Sequence, residues 1–299
     1  MRSFSMSRIA LFVVAAVCLW APASSAINIA TCSPTFVAGT PGGVYTVTAP
    51  LVAAPGTNCI NVTAPGVTIN LNGFTLTGSG GIGVDIFPPA TGAYIYAPAA
   101  AGGVITGFAT GISDAGSSAR IEHLDITHNT MTGVELIGVD GSVVVSNSIT
   151  YNGQYGVYLM NTNDCLVKRN TQISNNGKIG VWIQNTSTTV SNGDNVVFAN
   201  ELNMNGLTGI EVGFTGIAPT CATGVNPSTE NLIVDNSLPS INGQYGIALE
   251  CNTATDNFVT DNAAAGSGTI DDLFDGNPAC DANTWKGDAF ATHNQACVL

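Results

Sequence analysis

A phrase of one asparagine, three further residues, a glycine and then a valine or isoleucine recurs along the chain. Its five copies begin at Asn129, Asn152, Asn176, Asn205 and Asn242. The glycines of successive copies lie 23, 24, 29 and 37 residues apart. A period in this range, carried by turn residues and short apolar segments, is typical of solenoids. The phrase therefore constrains the fold more than any other feature of the sequence.

Each copy ends in a short alternating segment such as Gly156-Val157-Tyr158-Leu159, and this alternation predicts a half-buried strand. A second strand is flanked by asparagines five residues apart, as in the pairs Asn195/Asn200, Asn231/Asn236 and Asn257/Asn262. Asparagine tolerates the left-handed backbone of tight turns, and its amide can bond to another amide above it. The sequence therefore predicts asparagine ladders at the corners of a parallel β-helix whose coils rise about 4.8 Å each.

Residues 1–26 have the pattern of a secretory signal: two arginines, an apolar stretch and a small-residue cleavage site near Ala26. The apolar stretch is shorter than the roughly 20 residues that cross a bilayer, so we expect a secreted or periplasmic protein without a membrane span. We assign residues 27–58 to an N-terminal cap with the first strand and residues 59–262 to the β-helix. Residues 263–299 are assigned to a C-terminal cap with a disulfide.

Seven cysteines follow the predicted signal, and an exported chain can keep disulfides. Pairing by proximity in the sequence leaves Cys165 unpaired and joins Cys32 with Cys59, Cys221 with Cys251, and Cys280 with Cys297. None of these cysteines has the close spacing of a zinc or redox site. We therefore expect structural disulfides, with neither a metal nor a cofactor.

The chain is acidic, with 20 Asp and Glu against 7 Lys and Arg and a formal net charge of −13. Nucleic-acid binding depends on neutralising phosphates with Lys and Arg, so we expect no nucleic-acid partner. Like charges also disfavour a polyuronate, and a neutral glycan fits the charge better. We expect the protein to be a monomer.

The coils resemble the right-handed parallel β-helix repeat of the pectate-lyase-like superfamily, in particular its carbohydrate-binding and sugar-hydrolase-type members. The resemblance covers about residues 59–299 and includes a tail, Cys280-Asp281-Ala282-Asn283-Thr284-Trp285, similar to a closing segment of bacterial members. It implies an all-β fold: a single right-handed parallel β-helix (solenoid) of eight or nine coils with N- and C-terminal caps. It does not specify an activity, because the superfamily includes lyases, hydrolases, epimerases and proteins without a known reaction.

Strand alternation predicts a column of outward side chains, one from each coil, and four of them form the predicted binding site: Glu135, Tyr158, Trp182 and Glu211. Neighbours in the column are about one coil apart, so Tyr158 and Trp182 are expected to form an exposed aromatic pair between carboxylates. Aromatic faces flanked by carboxylates suit sugar rings, which offer an apolar face and a hydroxyl rim. In the alternative, the two rings pack beneath an inserted loop and bind nothing.

The acids of this column do not identify catalytic residues, and none is assigned. Glu135 and Glu211 would be three coils apart, about 14 Å, whereas a glycosidase pair needs roughly 5 to 9.5 Å. Glu211 and Glu250 would lie on adjacent coils and nearer that range, but Glu250 adjoins Cys251 and can equally be structural.

The motifs of enzymes in the superfamily are incomplete here. Val181-Trp182-Ile183-Gln184-Asn185 is similar to the Trp-Ile-Asp-His motif of pectate lyases, but Gln and Asn replace Asp and His, which removes a calcium carboxylate. The Gly-His and Arg-x-Lys motifs of polygalacturonases and the Asp-Pro-His-Asp motif of alginate epimerases are absent.

Three further candidates lie in one short segment, where strand alternation places His123 and Asp125 on one side and His128 on the other. That placement breaks a triad, so we interpret the histidines as surface or turn residues. Lys168 and Arg169 could supply a lyase base, but adjacent residues diverge and surface charge is the simpler interpretation.

Two functions remain open from the sequence. The first is an exported protein that binds an extracellular polysaccharide and could also cleave it as a lyase or hydrolase. The second is a non-catalytic structural or adhesive rod, in which asparagine ladders and disulfides serve persistence outside the cell.

Overall fold

A computed structural model describes residues 26–33, 35–187, 192–213, 226–250, 253–280 and 282–298. Over these residues the chain forms short parallel strands, numbered β1 to β31 along the chain, and a single 3-10 turn, Pro278–Cys280. Each strand pairs with the equivalent strand of the neighbouring coils, on both sides within a sheet and on one side at its ends. The result is an all-β parallel solenoid of about nine turns, as the sequence predicted.

Three long sheets form the walls of the solenoid, and a short fourth sheet lies between the third and the first in chain order. Sheet 1 has eleven strands: β1 (Ile27–Ile29), β3 (Val44–Val47), β6 (Thr68–Asn70), β9 (Tyr94–Tyr96), β12 (Arg120–Glu122), β15 (Val143–Val145), β18 (Leu166–Lys168), β22 (Val196–Phe198), β26 (Leu232–Val234), β29 (Phe258–Thr260) and β31 (Thr284–Lys286). Sheet 2 has seven: β4 (Leu51–Val52), β7 (Thr75–Thr77), β10 (Val104–Thr106), β13 (Asp125–Thr127), β16 (Ser148–Thr150), β19 (Gln172–Ser174) and β23 (Leu202–Asn203). Sheet 3 has ten: β2 (Phe36–Ala38), β5 (Ile60–Val62), β8 (Ile82–Ile86), β11 (Thr110–Asp114), β14 (Thr132–Ile137), β17 (Tyr155–Met160), β20 (Ile179–Gln184), β24 (Thr208–Val212), β27 (Tyr245–Leu249) and β30 (Asp271–Asp275). Sheet 4 has three: β21 (Asn192–Gly193), β25 (Ser228–Thr229) and β28 (Ala254–Thr255).

The core consists of inward side chains that stack directly over one another from coil to coil. In sheet 3, for example, Val134, Val157, Val181 and Ile210 are paired in register, and all four are fully buried. Because alternate residues of a strand face opposite sides of a sheet, the same register also fixes which side chains stack on the outer face.

Buried asparagines form the predicted ladders at three corners. The corner between sheets 2 and 3 contains Asn129, Asn152, Asn176, Asn205 and Asn242. The corner between sheets 1 and 2 contains Asn147, Asn170, Asn200, Asn236 and Asn262 and ends on Asp288. The corner before sheet 1 contains Asn195, Asn231, Asn257 and Asn283. At each step the side-chain amide of one asparagine donates to the side-chain oxygen of the next residue in the ladder, at 2.8 to 3.2 Å.

The left-handed backbone that the sequence assigned to these asparagines belongs instead to the residue before most of them. At the corner between sheets 1 and 2, φ is between 49° and 58° at Ser146, Arg169, Ala199, Asp235 and Asp261. These residues make the turn, although left-handed φ is uncommon outside glycine. The turn then directs each following asparagine into the interior, where its amide joins the ladder.

Two of the predicted disulfides are present, Cys32–Cys59 and Cys280–Cys297. Cys165 is a free, buried thiol, and burial raises its pKa to about 12. The predicted Cys221–Cys251 bridge lies outside the described residues.

Sheets 1 and 3 extend into both segments that the sequence assigned to caps. β1 to β4 fall within residues 27–58, and β30 and β31 fall within residues 263–299. The bounds of the caps and of the signal segment stay predictions. Within the described parts of the chain, no helix is long and apolar enough to cross a membrane.

Candidate functional site

The predicted column of outward side chains lies on the outer surface of sheet 3, which we call the site face. Glu135 is paired in register with Tyr158, Tyr158 with Trp182, and Trp182 with Glu211. Each step is one strand, so Glu135 and Glu211 are three coils apart, as expected. Whether the four residues bind a ligand stays a prediction.

An additional set of side chains reaches the site face because the strand alternation is interrupted at the glycines. A Cβ added to Gly156 would lie 2.6 Å from Cγ2 of Ile173, so this position faces the interior, as the buried Val157 beside it does. Two consecutive inward positions place Tyr155 on the same side as Tyr158, and their ring centroids are 5.4 Å apart. The extra aromatic residue covers part of the predicted site.

The expectation that Tyr158 and Trp182 are exposed was wrong. Their rings stack with centroids 4.6 Å apart and an interplanar angle of 17°, but the residues are only 9% and 5% exposed. Tyr155 and Met160 pack against the pair. The polar ends of the rings are also used internally: the Tyr158 hydroxyl donates to the side-chain oxygen of Gln184, and Trp182 Nε1 donates to the carbonyl oxygen of Gly213 at 2.9 Å. The pair therefore forms a small outer core rather than an open sugar platform.

Glu211 is the deepest acid of the site face, at 3% exposure. Its Oε1 has no hydrogen-bond partner among the described residues. The pKa of Glu211 is raised to about 8, mainly by burial and to a smaller extent by the nearby Glu250 carboxylate, while a hydrogen bond from Thr208 acts in the opposite direction. Burial also raises the pKa of Glu250 to about 7. We call Glu211 and Glu250 the acid pair.

The acid pair spans two adjacent strands. Glu211 faces Ala248 in the register, and Glu250 follows two residues later, just beyond the end of β27. Such diagonal neighbours have Cα atoms about 7 to 8 Å apart, within reach of long side chains. Opposite Glu250 lies Gly213, whose φ of 110° suits glycine. A Cβ on Gly213 would lie 2.7 Å from Cβ of Glu250, so this glycine makes room for the glutamate.

A second group of acids lies toward the N-terminal end of the site face. Asp85, Ser113 and Glu135 are consecutive in the register, which places the two acids two coils apart. Asn58 donates to Asp85 at 2.9 Å. Burial raises the pKa of Glu135, with a smaller contribution from the Asp85 charge. Unlike Glu211, both acids are half-buried.

The histidine segment forms no triad. β12 ends at Glu122 and β13 begins at Asp125, and His123 lies between them with φ 56°. His128, at φ 55°, stacks on Tyr151 with ring centroids 5.1 Å apart. Turn geometry, rather than alternation along one strand, thus separates the two histidines, in agreement with their interpretation as turn residues.

The other sequence candidates are placed on sheet 1 or at its edge. Lys168 ends β18, and Arg169 makes the turn after it, with its guanidinium 5.8 Å from the centre of the Phe198 ring. Arg169 also borders a polar depression of about 330 Å³ that includes Glu201 and Asp235. The mixed charges and open shape of this depression do not favour a lyase base.

Two aromatic features were missed by the sequence analysis. The half-buried Tyr245 occupies the same register position as Tyr155, three strands further along sheet 3. It stacks on Phe274 with ring centroids 4.5 Å apart. On sheet 1, Tyr94 and Tyr96 stack with centroids 4.5 Å apart. The phrase Tyr-x-Tyr is visible in the sequence, whereas finding Tyr245 required the inward placement of the glycine after it.

The stacked pair Tyr94 and Tyr96 is linked to the next coil by hydrogen bonds to a charged group. The Tyr94 hydroxyl donates to Glu122 at 2.9 Å, and Arg120 forms two hydrogen bonds with the same carboxylate at 2.7 and 2.8 Å. Hydrogen bonds from Arg120 lower the pKa of Glu122. The Glu122 carboxylate is therefore paired with a basic group of its own strand.

No group of three or more His, Cys, Asp or Glu side chains suited to a metal ion occurs in the described part of the chain. The arrangement on the site face is instead one of half-exposed aromatic rings, hydrogen-bonding carboxyl groups and a buried aromatic layer beneath them.

The similarity of this chain to known proteins is a similarity of fold. No protein of curated function matches the chain. Among solved structures, the Dettilon tailspike protein (gp208) is similar with a TM-score of 0.60 and 15% identity, over 88% of this chain and 60% of that one. A double mutant of the periplasmic alginate epimerase AlgG is similar with a TM-score of 0.44 and 15% identity, over 71% of this chain and 61% of that one. The chain thus spans less than two thirds of the length of either protein.

A sequence profile described as "Right handed beta helix region" matches residues 58–264, which is more than half of the chain. The matched segment contains most of the ladder asparagines and most strands of the three long sheets. The predicted right-handed parallel solenoid is thereby confirmed, and the chain belongs to the right-handed β-helix family.

Proposed function

We propose that this protein is exported and binds an extracellular polysaccharide along the site face. The observation that carries the proposal is the placement of two half-buried tyrosines on the site face: Tyr155 lies two strands before the strand of Glu211, and Tyr245 lies on the strand that Glu250 follows. The register links these tyrosines through Ile179 and Thr208, three strand steps apart. Three steps correspond to about 14 Å, which exceeds one sugar ring and suits a chain of sugars.

The chemistry of this surface suits a neutral glycan. Tyrosine rings offer an apolar face for the CH side of a sugar and a hydroxyl for its rim. The half-buried Glu135 and Glu250 add carboxyl groups that can bond to sugar hydroxyls. The formal net charge of −13 disfavours an anionic chain. Export is supported by the two disulfides, which persist in oxidising compartments.

A glycan array probed with the purified protein tests the proposal, with product detection to reveal cleavage. We expect Tyr155→Ala and Tyr245→Ala each to weaken binding to the best neutral glycan about tenfold, or about 1.4 kcal/mol. Tyr94→Ala is the matched control, because Tyr94 is also a half-buried, stacked tyrosine but lies on sheet 1.

The outcomes separate the candidate functions. Binding that is lost only in the Tyr94 variant would move the site to sheet 1. Absence of binding to any glycan would contradict the proposal and favour the structural or adhesive rod. Shortened products in the wild-type sample would identify an enzyme and direct attention to the acid pair.

A further inference from the structure

The acid pair carries a feature that glycan binding alone does not explain. Glu211 is almost completely buried, yet its Oε1 has no partner among the described residues. Buried polar atoms are nearly always hydrogen-bonded, and a buried charge without a partner is more unfavourable still. The side chain lies on the outer face of sheet 3, between Trp182 and Ala248, and so belongs to the proposed binding surface and not to the interior of the solenoid.

The groups around Glu211 offer no compensating positive charge. β17 contributes Tyr155, and β27 contributes Tyr245 followed by Glu250, while Asp271 of β30 lies beyond Tyr245. The exposed Lys178 precedes β20, with Nζ 5.8 Å from the centre of the Tyr155 ring. No basic group of the described residues contributes to the pKa of Glu211. A proton is therefore the means at hand to neutralise this carboxylate.

We propose that the site face binds glycan only while Glu211 and Glu250 are protonated, so that the acid pair sets the pH range of binding. This inference rests on the proposed function. A protonated carboxyl group can donate a hydrogen bond to a sugar oxygen, whereas an ionised one can only accept. A glycan lying over the pair would also exclude water and make the ionised forms less favourable.

The direction of the pH dependence follows from linkage. Because bound glycan favours the protonated pair, protonation must favour bound glycan by the same factor. The pKa values of Glu211 and Glu250, about 8 and about 7, place the transition close to neutral pH. The affinity for glycan is therefore highest at weakly acidic pH and falls as the pH rises through this range.

Trp182 provides a readout that needs no glycan. Its ring neighbours Glu211 in the register, and the other tryptophan in the described residues is Trp285, near the C-terminal end. In a Trp285→Phe background we expect the emission of Trp182 to change along one titration curve centred between about pH 7 and pH 8. Glu211→Gln removes that curve. Glu230→Gln, at an exposed glutamate, is the matched control and retains it.

The binding experiment uses the best neutral glycan from the array. Between pH 6 and pH 9 we expect the affinity of the wild type to fall at least tenfold, whereas Glu211→Gln and Glu250→Gln flatten this dependence. Glycan affinity that is independent of pH in the wild type would overturn the inference while leaving the proposed function intact. Absence of any glycan ligand between pH 5 and pH 9 would overturn both. If Glu211→Gln fails to fold, the absence of a titration curve in the Trp285→Phe protein that retains Glu211 still contradicts the inference.

Discussion

The asparagine ladder between sheets 2 and 3 and the outward column of the site face are built by the same repeat, yet they treat buried polar groups in opposite ways. In the ladder, Asn152, Asn176 and Asn205 each donate to the next residue and accept from the one before. In the column, the equivalent steps change from Glu135 through aromatic rings to Glu211, which keeps an unpaired oxygen. The ladder repeats one residue type, whereas the column varies it at every coil.

The contrast teaches where stability and function can be separated in a solenoid. A side chain in the ladder must accept a hydrogen bond from the coil on one side and donate one to the coil on the other. Every copy therefore needs the same amide group. A column position faces outward and can differ from its neighbours without interrupting the backbone pairing. The corners therefore carry the repeated side-chain hydrogen bonds, and the outward positions of the site face can carry ligand chemistry without interrupting them.

Breaking the ladder is expected to have the largest effect. Asn176 accepts from the backbone and side chain of Asn152 at 3.1 and 3.0 Å and donates to Asn205 and to the carbonyl of Ile149 at 3.0 and 3.2 Å. Asn176→Ala leaves several of these buried groups without partners, at 1 to 3 kcal/mol each. We expect a loss of about 4 kcal/mol, measured by chemical denaturation, and a fall in Tm of about 10 °C.

The control for this prediction is Asn28→Ala, at an exposed asparagine in β1. Surface substitutions of this kind usually change stability by less than about 0.5 kcal/mol. An equally small change in stability for Asn176→Ala would show that the ladder hydrogen bonds do not stabilise the fold. It would contradict the contrast drawn between the corner and the column.

Removal of the buried aromatic layer is expected to come second. Trp182→Ala deletes a ring that stacks on Tyr158 and donates to the Gly213 carbonyl at 2.9 Å. Loss of a buried indole costs about 3 kcal/mol or more. Trp182→Phe keeps one ring in the stack and loses the rest of the indole with its hydrogen bond, so we expect a smaller loss than for alanine. A Tm unchanged in Trp182→Ala would show that the ring is as exposed as the sequence predicted.

This last point shows what the sequence could and could not predict. The solenoid, the ladders and the register of the column follow from residue type and spacing, because each depends on one residue meeting its own copy one coil away. The two disulfides follow from the proximity of their cysteines in the sequence, 27 and 17 residues apart. The exposure of Tyr158 does not follow from spacing, since it depends on the consecutive inward positions Gly156 and Val157 that bring Tyr155 outward.

The same limit applies at the corners and in the acid pair. The sequence identified the turn but placed its left-handed residue one position too late, because Asn and the residue before it are equally compatible with the repeat. The unpaired oxygen of Glu211 depends on neighbours from the coils on either side, Trp182 on one and Ala248 and Glu250 on the other, and no local pattern records their joint geometry.

Glu211→Gln is expected to have the third largest effect, and to stabilise. The pKa of Glu211 is about 8 in the folded state against an ordinary value of 4.5. At a pH between these two values, Glu211 is protonated in the folded state and ionised in the unfolded state. The free energy of unfolding therefore falls as the pH rises from about 4.5 to about 8. Glutamine removes this loss, so we expect a gain of about 2 kcal/mol at pH 8.5, less than the whole shift implies because an ionised site relaxes and admits water. Denaturation at pH 5 and pH 8.5 checks this; equal effects at both would contradict it.

The smallest effect is expected between Asp85 and Glu135, and it sharpens the comparison most directly. These acids of the same column interact across Ser113, and the Asp85 charge contributes to the raised pKa of Glu135. Because both are half-exposed, solvent screens their repulsion, and a double-mutant cycle of Asp85→Asn and Glu135→Gln should give a coupling of about 0.5 kcal/mol at pH 7.

A double-mutant cycle of Asn152→Ala and Asn176→Ala provides the comparison in the ladder. It should give a coupling of about 2 kcal/mol, since the two residues are hydrogen-bonded to each other. Couplings of similar size in the two cycles would show that the column is as tightly constrained as the ladder, and that the site face is not free to vary.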